Sequence, residues 1–506
     1  MLLKVARKTS LAMAITLTTL CAPMVFYSSS AAAAKDVAGN IGAYPDGTWQ
    51  TDGIIWSMAS SHGVVYVGGS FSAVRPPGAA PGEQEVKRRN FAAFDAETGT
   101  LLPCAPDFAG GADTIRALKT SPDGQVLYVG GSFDQVNSTA VASAVALDTS
   151  SCALRSDFRP AMSATVRAIE VSPTAIYLGG DFSLVNGQIR NHIAAFTPQG
   201  SLLPFSADFD LPVRALSFAS SREKILVGGD FNWVNGRAVH ALVALDTTGA
   251  TEHTYPDWIP AASVVKALAN DGDQFYVGAE GTGGGVFDGR IAGRLESDQM
   301  VWKDSCLGAT QAIVPYKGLL YSGSHAHDCS STPGGFPETG RRQYLLAQSL
   351  SNGEIQHWFP NTDGGLGEGA GPRAMTVADD ILWVGGEFTK VNDMPQQSLT
   401  RFRTGSVSAS PEETPVLSAS ASASSAGIVT VSWPATWDRD TRELTYRVYR
   451  DGKRVYSKAE SSTFWDLPRM SYSEFVPSGN HQYRIDVTDG PHTTPKSQPV
   501  DVIVPR

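Results

Sequence analysis

The chain has 506 residues, 42% hydrophobic and 18% charged, with 40 basic against 50 acidic side chains. That length exceeds one ordinary domain. A net charge of −10 excludes the basic footprint that nucleic acid requires, and it argues against anionic membrane surfaces.

Residues 1–34 read as a secretory signal. Lys4, Arg7 and Lys8 form a basic start, Leu11 to Tyr27 an apolar core, and Ala32-Ala33-Ala34 a small-residue cleavage site. Cys21 follows Leu20, where a lipobox wants a small residue, so a lipid anchor is not expected. The apolar run is short for a transmembrane helix, and no later run is long enough to span a bilayer. The expected product is a secreted monomer, free or held non-covalently at the cell surface. Its balance is 37 basic to 50 acidic residues.

From Tyr66 onward one motif recurs. Tyr66-Val-Gly-Gly-Ser-Phe71, Tyr128-Val-Gly-Gly-Ser-Phe133, Tyr177-Leu-Gly-Gly-Asp-Phe182, Leu226-Val-Gly-Gly-Asp-Phe231 and Trp383-Val-Gly-Gly-Glu-Phe388 are strong copies; Tyr276-Val-Gly-Ala279 and Tyr321-Ser-Gly-Ser324 are weaker. Measured from Gly68, Gly130, Gly179, Gly228, Gly278, Gly323 and Gly385, the spacings are 62, 49, 49, 50, 45 and 62. Periods near this length mark an array of supersecondary units. Insertions rich in Pro or Gly at 75–86, 330–340 and 362–371 account for the long spacings.

Each unit holds four strand-like pieces. Val-Arg-Ala-Leu comes first, as at Val166–Ile169 and Val213–Leu216. The Gly-Gly motif is second. A segment ending at Asp95, Asp148 or Asp246 is third, and Leu-Leu-Pro, as at Leu101–Pro103 and Leu202–Pro204, is fourth. Asn186-Gly187 and Asn235-Gly236 are favoured hairpin turns between the second and third pieces. Proline in the fourth fits only an outer edge. Four antiparallel strands per unit, seven times over, predict an all-β, seven-bladed β-propeller across 37–404. The glycine pair lets neighbouring backbones approach closely. The seventh unit lacks a fourth strand, and Val37–Tyr44 is expected to supply it, closing the ring.

The Gly-Gly-x-Phe-x-x-Val-Asn-Gly unit with its trailing Ala-Leu-Asp resembles bacterial secreted delta-60-type propeller repeats and kelch-like repeats of fungal cortical landmark proteins. The resemblance implies a propeller and is nearly silent on activity.

Residues 405–411 read as a linker. Beyond them, Val429-Thr-Val-Ser-Trp433, Leu444-Thr-Tyr-Arg-Val-Tyr449-Arg-Asp-Gly452 and Tyr483-Arg-Ile-Asp-Val487 alternate apolar and polar residues, as half-buried strands do. This stretch, 412–506, is similar to a fibronectin type III β-sandwich. The resemblance makes Trp433 the buried tryptophan and Tyr483 the corner tyrosine, whose hydroxyl bonds back to the chain.

Four cysteines follow the signal. An even number in an exported chain predicts two disulfides. Cys306 and Cys329 bracket one repeat's inner strands and are favoured as a pair, which leaves Cys104 with Cys152. A thiolate metal site is the rival, but no Cys-x-x-Cys pair supports it.

The second position of the Val-Arg-Ala-Leu strand is Trp56, Arg116, Arg167, Arg214, Lys266, Gln311 and Arg373 through the seven units. In a propeller this strand lines the axis, so five cations would ring its mouth. Arginines there suit planar anions. The competing and stronger reading pairs each cation with a recurring acid: Asp181, Asp230 and Glu387, or Asp107, Asp157 and Asp208. Lys266 is expected to lack a turn acid in its own unit. His325 and His327, two apart on a strand, form a candidate metal pair, with Asp328 or Asp304 as further ligands. Glu83, Glu85, Asp363 and Glu368 in the insertions offer carboxylates for a glycosidase but read better as solvated charges. No Gly-x-Ser-x-Gly, Walker or His-Glu-x-x-His motif occurs. Among Trp233, Trp258, Trp302 and Trp358, which could stack on sugars, Trp233 is expected to be exposed and Trp258 core.

The expected function is binding of a glycan or a surface protein through the rim and axial mouth, with no cofactor. The alternatives are an enzyme on extracellular polysaccharide and a scaffold in a cell-surface assembly.

Overall fold

The computed structural model describes residues 41–281, 286–304, 306–404, 411–412, 415, 417–421 and 427–505. The expected signal at 1–34, residues 37–40 of the expected closing segment and residues 405–410 of the expected 405–411 linker lie outside them. Gly39–Arg506 forms one compact unit. The described residues contain strands and no helix.

Up to residue 404, seven antiparallel sheets follow one another, each built on a strand whose partner carries the glycine motif. The leading strands are Ile54–Ser61, Thr114–Thr120, Val166–Val171, Val213–Ala219, Ser263–Asn270, Thr310–Tyr316 and Pro372–Ala378. Each touches the next, and the seventh returns to the first. The core sits between sheets rather than at one centre. Tyr177, Phe205, Val213 and Val227 join the third to the fourth, and Ile55, Val67, Trp383 and Leu399 join the first to the seventh.

The two glycines of each motif do different jobs. A Cβ on Gly228 would lie 2.3 Å from Cγ1 of Val265 on the next sheet, and one on Gly179 would lie 2.5 Å from Val213. The first glycine therefore sets the distance between sheets. A Cβ on Gly180 would lie 2.2 Å from the carbonyl oxygen of Thr165, in the same sheet. The second glycine therefore makes room for its own sheet's entering chain.

The fourth pieces are shorter than predicted. True strands form only at Thr251–Thr254 and Met300–Lys303. Elsewhere single bridges stand in, such as Phe94 to Leu101 and Phe196 to Leu202. Proline cannot donate to the ladder, which stops these edges early. The N-terminal segment does lie beside the seventh sheet. Ile41 bridges Thr404, and the N–H groups of Gly42 and Asp46 donate to the carbonyls of Arg403 and Arg401, both at 3.0 Å.

Small hairpins stand on one rim between the second and third strands. Leu184–Val185 pairs with Gln188–Ile189, and Trp233–Val234 with Arg237–Ala238. Their Asn-Gly turns have positive φ at both residues, 50° and 76° in one and 51° and 75° in the other, as a type I′ turn requires. The asparagine has a second task. The side-chain oxygens of Asn137, Asn186, Asn235 and Asn392 each accept the N–H of the incoming segment at 2.8–2.9 Å.

The C-terminal strands form two sheets around Trp433, Tyr446 and Tyr483, all fully buried. Tyr483 donates its hydroxyl to the Glu474 carboxylate at 2.9 Å, not to the backbone as the resemblance implied. This part is packed against the ring. Trp437, Phe464 and Trp465 cover Phe336 and Phe359 beside the Cys306–Cys329 disulfide. Buried Arg439 bonds Glu412 at 2.5 Å and the Phe359 carbonyl at 3.3 Å. Asp440 accepts the Ala43 N–H, and Asp438 the Tyr44 hydroxyl, each at 2.9 Å. The C-terminal part thus grips the segment that closes the ring.

Two titrating groups at this junction oppose each other. Burial holds His357 down to about 4; its Nε2–H donates to the Asp438 carbonyl at 2.9 Å. Burial, with Asp440 adjacent, pushes the Asp438 carboxyl well above the usual range. A lowered histidine makes the fold lose stability as pH falls from 6.5 towards 4, and a raised carboxyl makes it gain over the same window. The wild-type protein should change little there. In Asp438→Asn only the histidine's effect remains, and stability should fall by about 2–3 kcal/mol between pH 7 and 4.5. Urea titrations at stepped pH measure this, and equal slopes in variant and wild type would refute it.

Candidate functional site

All seven leading strands carry a β-bulge, and always at the same place. The register shifts between Ile55 and Ser57, Ile115 and Ala117, Val166 and Ala168, Val213 and Ala215, Val265 and Ala267, Thr310 and Ala312, and Pro372 and Ala374. The residue left without a ladder partner is Trp56, Arg116, Arg167, Arg214, Lys266, Gln311 or Arg373. A bulge re-aims its side chain. Here it presents one per sheet where the leading strands converge.

Most of the ring is neutralised locally. Arg167 bonds Asp181 at 2.6 Å and Arg214 bonds Asp230 at 2.5–2.8 Å. Glu280 accepts from Lys266 at 3.4 Å and from the Gln311 amide. Lys266 does therefore have an acid in its own unit, at the place that Asp181 and Asp230 hold in theirs, although Ala279 replaces the second glycine. Arg373 is held between Glu387 at 2.8 Å and Glu368 at 2.7 Å. Glu387, fully buried, also accepts the N–H groups of Glu368 and Ala370 at 2.9 Å. That contact folds the glycine-rich 362–371 insertion over the mouth. Asp107, Asp157 and Asp208 do not join the ring; they meet Arg89, Arg155 and Asn191.

Arg116 is the exception. Its unit has Ser132 where Asp181 and Asp230 stand in the next two, and among the described residues it has no carboxylate in ion-pair contact. Its guanidinium instead lies 3.7 Å from the centroid of the Trp56 ring, while Arg373 lies 4.4 Å from the same ring. One indole thus meets two guanidinium groups. Burial and then Arg167 and Arg373 pull the Arg116 pKa down to about 10, partly offset by Glu368. The indole N–H of Trp56 and the Nε–H of Arg373 are buried without an acceptor. Donors collect at this point, and a bound acceptor would satisfy them.

The other expected residues are scattered. His327 is engaged by Glu338, and His325 Nε2 accepts the Ala309 N–H at 3.3 Å. Asp304 is committed to buried Arg290 at 2.7 Å and Asp328 to the Ser330 N–H at 3.0 Å. Among the described residues no three potential ligands gather, so the histidine pair gains no third partner. Asp363 accepts the N–H of Thr389 at 2.6 Å and the N–H of Lys390 at 3.3 Å. Trp302 and Trp358 are core, not exposed. Trp258 stacks on Phe275, and Trp233 is 53% exposed.

Both disulfides form as expected, Cys104–Cys152 and Cys306–Cys329, which points to an oxidising, extracellular compartment. Among the described residues no helix is long and apolar enough to cross a membrane. Two open clefts lie at the first and second sheets. One, of about 550 Å³, is lined by Asp52, Lys87, Arg89, Asn90 and Asp113; the other, of about 460 Å³, borders the Cys104–Cys152 disulfide. Asp52 and Asp113 are already engaged, by the Ser72 and Ala73 N–H groups and by Arg89 and Asn90.

A family model described as "Domain of unknown function (DUF5122) beta-propeller" matches residues 176–202, which hold the second and third strands of the third sheet and the hairpin between them. No curated protein matches the chain. Among solved structures, a chain of "Crystal Structure of Mitotic Checkpoint Complex" is 16% identical, with a TM-score of 0.45, and the match covers 78% of this chain and 99% of that one. The chain carries a β-propeller.

Proposed function

We propose that this is a secreted seven-bladed propeller, followed by a fibronectin type III module, that binds an anionic extracellular glycan at its axial mouth. The observation that carries the reading is Arg116, a half-buried cation on Trp56 without a carboxylate partner. An anionic group on the ligand would take that place, beside the unsatisfied N–H groups of Trp56 and Arg373. The indole adds a surface on which a sugar ring stacks.

The test is a titration of the mature protein with uronate-, sulfate- and phosphate-bearing oligosaccharides against their neutral counterparts. Arg116→Gln should weaken anionic ligands at least about tenfold, the loss of one charge-assisted contact, and leave the melting temperature nearly unchanged. Equal binding of neutral sugars, or an unaffected Arg116→Gln variant, would sink the proposal.

A further inference from the structure

We infer that the hairpin rim of the third and fourth sheets docks on an anionic lipid surface. Leu184, Ile189, Leu211 and Trp233 are 42%, 71%, 41% and 53% exposed there. Leu184 and Ile189 face each other across one hairpin. Leu211 follows Asp210, whose carboxylate accepts the N–H of Trp233 at 2.9 Å. Asn191 bonds Asp208 at 2.7 Å and ties the two sheets' rims together. The four apolar side chains therefore belong to one continuous stretch of rim.

Its local balance is slightly positive, opposite in sign to that of the whole protein. Arg159, Arg190 and Arg237 flank the apolar residues, and none makes an ion pair among the described residues. Arg190 bonds only the Ile189 carbonyl, at 2.7 Å, and its Nε–H has no acceptor. Of the nearby acids, Asp181 and Asp230 are neutralised by Arg167 and Arg214, while Asp208 and Asp210 accept only neutral N–H groups and keep their charge, so three unpaired cations stand against two carboxylates. A net charge sums the surface and hides such a sector.

The shape selects the occupant. The apolar groups sit on and beside two narrow ribbons that project from the rim. A helix or strand partner wants a groove or a free edge. Projecting aliphatic and indole side chains ringed by arginine instead suit the boundary between lipid headgroups and acyl chains. The C-terminal part packs on the sixth and seventh sheets, across the ring, and leaves this sector open.

The experiment is sedimentation of the mature chain with vesicles of phosphatidylcholine, alone or with about one-third phosphatidylglycerol. Binding should appear only with the anionic lipid and weaken as salt rises. Trp233→Ser and Ile189→Ser should each reduce partitioning several-fold, and Arg190→Gln and Arg237→Gln about fivefold each, near 1 kcal/mol per cation. All four sites are at the surface, so unchanged melting curves will show intact folding. Several outcomes would overturn the inference: no binding, equal binding to neutral vesicles, or full binding by the Trp233→Ser protein. So would displacement by soluble glycerophosphate, which would mean a free-anion site. Capture of soluble polyglutamate through the same residues would assign the face to an acidic polypeptide instead.

Discussion

A chain that begins at Gly47 should melt well below the longer protein. Residues 41–46 put Ile41 and Ala43, both essentially inaccessible, among Trp358, Leu382, Val384 and Phe402. They also supply the backbone bonds to Arg401 and Arg403, the Asp46–Arg403 ion pair, and the two handles gripped by Asp438 and Asp440. Losing that apolar burial and these bonds costs on the order of 5 kcal/mol, comparable with the whole stability of many domains. The damage should be local at first. Amides of Leu399–Arg403 should exchange hydrogen fastest, with the C-terminal part loosening next. Calorimetry together with hydrogen exchange tests this, and a truncated chain that melts like its parent would show that the closure carries no weight.

Gly228→Val should be the most damaging single change in the ring. The new side chain would start 2.3 Å from Cγ1 and 2.9 Å from Cβ of Val265, which is fully buried. Neither partner can swing away, since both are β-branched and packed from two sides. The fourth and fifth sheets must separate, and because the ring is closed the strain has to be shared around it. We expect at least about 3 kcal/mol of destabilisation, read as a fall in the urea midpoint or as insoluble expression. Gly187→Val at a hairpin tip is the control. A Cβ there meets nothing within 4 Å, so its cost should be limited to the strained turn. Similar losses in the two variants would refute the assignment of the first motif glycine to sheet spacing.

The glycine repeat made the ring readable because it is a steric requirement written into sequence. A position where any Cβ collides with the next sheet can hold only one residue type, and Gly68, Gly130, Gly179, Gly228, Gly278, Gly323 and Gly385 all comply. The second glycine is looser: Ala279 and Ser324 replace it. Loss of that landmark is why Glu280 went unseen as the partner of Lys266. The bulges left no comparable trace. A register shift is a relation between two strands, and a lone Arg between Val and Ala reads equally well in a regular ladder. The docking of the C-terminal part was also hidden. Trp437, Phe464 and Trp465 lie off the alternating strands, so periodicity passes over them. Three aromatic residues in nominal loops were the available signal.

The seven bulged residues differ from everything around them in having no ladder partner, so their side chains are released from the demands of sheet packing. One codon per repeat therefore sets the chemistry of the mouth while the wheel beneath it stays the same. Seven such positions with only four ordinary choices each already give about sixteen thousand combinations, a small library by laboratory standards. A chain of this kind can change what it recognises by exchanging single letters on a fixed dial, and the same dial is open to a designer.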